Sequence, residues 1–206
     1  MSIADVSVSG RPAFRPLVDS LLPRASGRTA TRHMDAALVV AGSLVVAASA
    51  QVSIPLPFTP VPITGQTFGV LLVGMLLGSR RGALSLLLYL LEGASGLPVF
   101  AGGVGSLARL VGPTAGYLWS YPLAAFLVGL LTERGWDRSP LRTALAMLLG
   151  GFLILGMGTL WLGQFTDDLR AAFLQGCAPF LFGDLVKTAL AAALLPGGWK
   201  WVNAQK

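Results

Sequence analysis

The chain has 206 residues, 54% of them hydrophobic and 12% charged, with a mean hydropathy of +0.71. A soluble domain carries about 25% charged residues to cover its surface, so this composition excludes a water-solvated globule and makes lipid part of the solvent. The formal charge of +6 lies in clusters between apolar runs, as the positive-inside rule expects of cytoplasmic segments, and excludes nucleic acid as the reason for it.

The first 33 residues hold Arg11, Arg15, Arg24, Arg28 and Arg32. They lack the apolar core of a signal peptide, and residues 1–33 are expected to be a poorly ordered cytoplasmic tail. A membrane domain is expected over residues 34–196 and a second cytoplasmic tail over 197–206. The first span is predicted at about Met34 to Ala50, which is small and aliphatic throughout. Ile54-Pro55-Leu56-Pro57-Phe58-Thr59-Pro60-Val61-Pro62 follows. Prolines at this density forbid a helix interior, so a loop or extended cap is expected, and its apolar character predicts that it packs on something.

The apolar run from Thr64 to Leu91 is interrupted by Gly78-Ser79-Arg80-Arg81-Gly82. Adjacent arginines are costly at the bilayer midplane, so the run reads as two helices joined by a tight cytoplasmic turn, each shorter than the roughly 20 residues of a full span. Glu92 to Gly116 is Gly-rich and carries few charges. Irregular backbone at membrane depth survives only where protein or a cavity surrounds it, and long loops in compact domains are usually functional. The fourth span is predicted at Pro113 to Leu131 and the fifth at Leu141 to Gly163, with Gly150, Gly151, Gly156 and Gly158 allowing close packing. The sixth is predicted at Pro179 to Leu195, preceded by a turn from Leu169 onward. With both termini inside, twelve of the fifteen Lys and Arg residues are cytoplasmic; Arg109 and Arg170 lie outside and Lys187 lies within the sixth span. Six spans satisfy this count. The structured loops after helices one, three and five then share the outer face, where a ligand pocket opens.

Asp184 and Lys187 are the strongest chemical feature. They stand three residues apart in an apolar helix, a spacing that puts them on one face. Ionisable groups inside a span usually mark a substrate site or relay; the alternative is an ion pair that satisfies itself. As a site, the carboxylate accepts N–H donors and the ammonium pairs with an anion, which suits a small molecule with an N–H-bearing ring at one end and a carboxylate at the other. Arg109 either binds an anionic ligand group or meets lipid phosphates. Gln66 either hydrogen-bonds a ligand or caps a helix end. Tyr89, Tyr117 and Trp119 wall a pocket or form an interfacial belt, the belt being the better reading for Trp119. Cys177 is the single cysteine, so no intrachain disulfide forms, and it reads as a small buried apolar residue. The lone His33 precedes the first span and is no metal ligand. Ala37-x-x-x-Ala41 and Gly74-x-x-x-Gly78 permit close helix contact, within the chain or with a partner. No G-x-x-x-x-G-K-[ST], H-E-x-x-H or G-x-S-x-G motif occurs, so neither ATP hydrolysis by a phosphate loop nor these catalytic chemistries are expected.

Pro60-Val61-Pro62-Ile63-Thr64-Gly65-Gln66-Thr67-Phe68, Gly96-Leu97-Pro98-Val99-Phe100-Ala101-Gly102-Gly103, Gly112-Pro113-Thr114-Ala115-Gly116-Tyr117 and Gly183-Asp184-Leu185-Val186-Lys187 together resemble BioY, the biotin-specific substrate-binding (S) component of energy-coupling-factor (ECF) vitamin transporters. The resemblance spans about Ala36 to Leu195. It implies an all-α integral membrane fold of six transmembrane helices with structured outer loops, in the cell (inner) membrane. It implies a biotin pocket facing outward, no cofactor and no catalysis, and work in complex with a membrane-embedded coupling subunit and two ATPase subunits. By the resemblance Asp184 binds the ureido ring, Lys187 binds the carboxylate, and Ala37 and Ala41 contact the coupling subunit. Arg109, Gln66, Tyr117, Tyr89 and Phe100 complete the candidate substrate-binding set. The Asn and Arg of some family members correspond to Val104 and Leu118 here, which leaves Arg109 as the candidate second cation. The alternatives are the same fold binding another vitamin, a small channel, or an intramembrane enzyme using Asp184 as a base.

Overall fold

The computed structural model describes residues 15–21 and 28–204. Among these the helices are α1 (Leu17–Leu21), α2 (Arg28–Gln51), α3 (Gln66–Leu77), α4 (Ser79–Ala94), α5 (Ala115–Thr132), α6 (Pro140–Leu162), α7 (Leu169–Gly176) and α8 (Leu181–Ala204). Segments within α2, α5, α6 and α7–α8 are long and apolar enough to cross a membrane. The helices α3 and α4 are shorter, with 12 and 16 residues, about 18 and 24 Å at 1.5 Å per residue. Six helices thus build the bundle, flanked by the short α1 and α7.

The helix α5 is the hub. It packs on α3, α4 and α6, and 67% of its apolar window is buried, against 28% for α2. Close approach at the hub requires glycine: a Cβ on Gly74 of α3 would stand 2.6 Å from the Ala125 carbonyl oxygen of α5.

The break between α3 and α4 is a single residue, Gly78, not the five-residue turn expected from Gly78 to Gly82. Gly78 has φ +84°, a left-handed value that L side chains resist. The α4 start is then capped by another helix. Ser79 donates its backbone N–H and its hydroxyl to Glu133 Oε1, each at 2.8 Å, which places a carboxylate on the helix N-terminus. Arg81 stays inside α4 because its guanidinium reaches Asp19 of α1 and Asp35 of α2.

Helix extends into both expected tails where the structure describes them. The helix α2 starts at Arg28, ahead of the expected Met34, and α1 docks through Leu17 against Trp199 and Val202. At the other end α8 runs to Ala204 instead of stopping at Leu195. Pro196 removes one N–H from the helix ladder, while Trp199 and Val202 are buried beyond it and hold the last turns in place. Residues 1–14, 22–27 and 205–206, with Arg11, Arg24 and Lys206, lie outside the described residues.

The irregular segments gather at the other end. The Pro-rich stretch lies between two short antiparallel strands, β1 (Ser53–Ile54) and β2 (Ile63–Thr64). It packs as expected: Val61 is buried, and Thr59 Oγ1 donates to the Gln175 carbonyl of α7 at 2.9 Å. The helix α7 is capped by Asp168, whose side chain accepts the Ala171 N–H at 2.6 Å.

Asp137, in the turn between α5 and α6, is fully buried. Trp199 Nε1 donates to its Oδ2, and the Arg138 guanidinium stacks 4.2 Å from the Trp199 ring centroid. Burial pushes the Asp137 carboxyl above its ordinary range, opposed by the Trp199 hydrogen bond. A raised folded-state pKa favours the protonated form, so this carboxyl destabilises the fold as pH rises above its ordinary value. Asp137→Asn is expected to raise the thermal midpoint of detergent-purified protein at pH 7, with the gain shrinking toward pH 4. Trp199→Phe strips the carboxylate of its donor and should destabilise by about 1.5–3 kcal/mol. Thermal unfolding across pH checks both.

Candidate ligand site

The site forms where the first turns of α3, α5 and α8 meet the two structured loops. Asp184 lies in the first turn of α8, where the helix N-terminus favours a carboxylate. Lys187 Nζ donates to Asp184 Oδ1 at 3.0 Å and to Thr67 Oγ1 of α3 at 2.7 Å. Thr67, Asp184 and Lys187 all line one cavity, with Gln66, Phe100, Arg109, Thr114, Tyr117, Leu118, Tyr121, Leu155 and Phe180 around it. The pair therefore contacts itself and faces a cavity at the same time.

Each remaining wall residue is set by a definite contact. Gln66 is buried at the start of α3, and its Nε2 donates to Tyr89 Oη at 2.6 Å. Tyr89 Oη in turn donates to the Val99 carbonyl at 3.0 Å. Phe100 meets Tyr89 edge-on, with ring centroids 5.4 Å apart, and lies over Gly93, where a Cβ would stand 2.0 Å from its ring. The Tyr117 ring covers Gly158 of α6 in the same way, and its hydroxyl donates to the Gly176 carbonyl at 2.7 Å. Arg109 sits in a 3-10 turn, Leu107–Leu110, whose first turn Ser106 caps by accepting the Ala108 N–H. Trp119 Nε1 donates to the Leu110 carbonyl at 2.9 Å and Trp161 Nε1 to the Gly112 carbonyl at 3.0 Å.

Asp184, Lys187, Arg109, Gln66, Tyr117 and Phe100 thus converge on the cavity. Tyr89 does not: it stands behind the wall, fully buried, because its hydroxyl is consumed in joining Gln66 to the Gly-rich loop. Gln66 caps no helix end, since Gly65 holds the N-cap of α3 without a side-chain bond. Trp119 is off the cavity and half-exposed. Leu118 lies on the wall as an apolar residue, Val104 pairs with Phe100 in an isolated bridge, and Arg109 is the second cation on the cavity. Thr67 and Tyr121 join the site from beyond the candidate set. The signal for Tyr121 was its spacing of four from Tyr117, which puts both on one face of α5. Among the described residues no cluster of His, Cys, Asp or Glu could hold a metal ion.

The free interior is about 60 Å³, room for a few waters, whereas pockets for drug-sized ligands run from roughly 300 Å³. A ligand of that size enters by moving a wall. The α3, α5 and α6 walls approach through glycine-mediated contacts, which leaves the Pro-rich and Gly-rich loops and the α8 wall as the parts to move. Chemically the cavity offers two cations and one carboxylate between apolar and aromatic surfaces, a set that grips an elongated molecule with an N–H-bearing end and an anionic end.

A family model described as the BioY family matches residues 23–204. A biotin transporter BioY of Rhodobacter capsulatus is 44% identical over 160 residues, 72% of this chain and 83% of the relative. A probable biotin transporter BioY of Pyrococcus horikoshii is 41% identical over 145 residues, 70% of this chain and 83% of the relative. The crystal structure at 2.1 Å of the S-component for biotin from an ECF-type ABC transporter superposes with a TM-score of 0.73 at 25% identity, covering 85% of this chain and 95% of that one. The all-α membrane fold expected of an S-component is therefore the fold observed. With the family model covering the whole bundle and relatives of this identity along most of their length, the chain belongs to the BioY family.

Proposed function

We propose that this chain captures biotin and serves its uptake as the substrate-specific subunit of an ATP-driven ECF transporter. The observation that carries the reading is the convergence of Asp184, Lys187 and Arg109 on one partly apolar cavity in a member of the BioY family. Asp184 accepts the ureido N–H groups, and Lys187 with Arg109 pairs with the carboxylate. The desolvation of Asp184 and Lys187 is already met by their mutual contact and by Thr67. Ligand binding then exchanges one charge partner for another without burying a new bare charge. Thr67 keeps the ammonium aimed during that exchange, and Tyr89 holds Gln66 and the loop at the wall.

The cavity end faces outward in this reading and both termini are cytoplasmic. Arg80, Arg134, Arg138, Arg142 and Lys200 are all exposed at the opposite end, in keeping with the positive-inside rule. The sequence carries no phosphate-loop motif, so ATP hydrolysis falls to two ATPase subunits, coupled through a membrane-embedded partner. The surface for that partner is α2. Ala37, Ala41, Leu44 and Ala48 form one exposed stripe on it, with small residues that let another helix approach closely.

Asp184→Asn is expected to weaken biotin binding at least tenfold, about 1.4 kcal/mol, in a titration of detergent-purified protein. Unchanged affinity removes Asp184 from the site, and competition by thiamin or riboflavin as strong as by biotin replaces the assigned ligand. Ala37→Trp or Ala41→Trp should leave biotin affinity intact and cut co-purification of the coupling subunit severalfold. Normal co-purification moves the docking surface off α2.

A further inference from the structure

A second cavity of about 800 Å³ lies on the flank of the bundle between α6 and α8. Its rims are Leu145, Leu149, Phe152 and Leu160 of α6 and Leu181 and Leu185 of α8, all exposed. Its floor is shared. Thr67, Leu155, Asp184 and Lys187 line this crevice and the ligand cavity alike, so a wall one side chain thick separates the two.

Gly156 deepens the crevice. A Cβ there would meet nothing within 4 Å, whereas on the packed side of the same helix a Cβ on Gly150 would stand 2.4 Å from Leu71 and one on Gly158 2.1 Å from Tyr117. Glycine weakens a helix interior, and packing of the chain on itself does not account for Gly156. The crevice lies within the membrane-crossing segments Pro140–Phe165 and Leu169–Ala204, so hydrocarbon and not water is the medium that reaches it. Its bulky rims suit a flexible chain better than a partner helix, which seeks small residues.

One turn of α6 before the crevice lining begins at Leu145 stands a cation. Arg142 is exposed and stands three residues before Leu145, on the same side of α6. One leaflet is about 15 Å of hydrocarbon, or roughly ten residues of helix. A chain entering beside Arg142 therefore ends near Phe152 and Gly156, next to Gly151, whose Cβ position lies 3.6 Å from Asp184 Oδ2.

We infer that this crevice is a phospholipid site, with an anionic headgroup on Arg142 and an acyl chain laid between α6 and α8. The chain forms the membrane-side backing of the wall of Thr67, Asp184 and Lys187 and keeps that charge pair dry. The inference needs only the crevice and the cation one turn before it, and it stands whatever ligand the inner cavity takes.

Native mass spectrometry of the full chain in detergent, supplied with phosphatidylglycerol and phosphatidylcholine of matched chains, tests it. Wild type is expected to retain one lipid, with phosphatidylglycerol preferred about fivefold, the effect of one basic residue at a membrane surface. Arg142→Gln, a surface change that spares the fold, should abolish the preference and keep the lipid. Gly156→Leu should fill the crevice and lower retention of both lipids. No retained lipid, equal retention of the two headgroups by wild type, or Arg142→Gln behaving as wild type overturns the site.

Discussion

An ammonium held at membrane depth must have partners, and Lys187 finds them on two helices. Asp184 comes from the same face of α8 and Thr67 from the first turn of α3. This small cluster fixes how α8 enters the bundle, because neither charge is stable against lipid alone. It also fixes what the cavity is. With the cluster at one wall, Arg109 on the Gly-rich loop and aromatic rings from α5 and the loops, the cavity sets opposite charges in a largely apolar enclosure. Removing one partner leaves an uncompensated charge, whereas exchanging partners does not, and on the proposed function that asymmetry lets the same pair serve as a strut and as a binding group.

The loops around the cavity obey the other constraint of the bilayer, that every backbone polar group needs a partner. The loops cannot pair all of their carbonyls internally, and side chains of the helices do it for them. Tyr89 bonds Val99, Trp119 bonds Leu110 and Trp161 bonds Gly112, while Tyr117 bonds Gly176 at the C-terminal end of α7. Each of these donors is an aromatic residue that is apolar over most of its body and polar at its tip. The end of the molecule that carries the 60 Å³ cavity is thus the end held by side chains as well as by helix ladders.

Much of this was legible in the sequence because charge stands out against an apolar background. Asp184, Lys187 and Arg109 are conspicuous for that reason, and all three reach the cavity. The Pro-rich and Gly-rich segments were legible as structured loops because prolines exclude helix and because so few charges cannot solvate a free loop. What was not legible depended on distant partners. Thr67 looks like any helical threonine until Lys187 arrives from 120 residues away. Tyr89 was read as a wall because an aromatic spacing does not say which side of the wall its hydroxyl bonds. Arg80 and Arg81 read as part of the tight turn between two helices, since nothing local discloses that Asp19 and Asp35 draw Arg81 into α4. The sixth span is expected to end at Leu195 for the same reason: the burial of Trp199 against Leu17 and Asp137 lies outside the local sequence.

The distribution of packing divides the molecule into parts with different work. Glycines let α3, α4, α5 and α6 approach one another to backbone contact, so their relative positions are stiff. The helix α2 is held differently. It touches the bundle through Gly42 against Ser85, through Ser43, which donates to Glu92 Oε1 at 3.1 Å, and through Asp35 on Arg81, while its Ala-lined face stays open. A stiff core holds the charge cluster aligned, and the face of small residues on its edge is open to another helix without disturbing that alignment. On the proposed function, recognition of a ligand and of a membrane partner falls to separate helices, α8 and α2, linked through α3, which carries Thr67 to one and packs against the other.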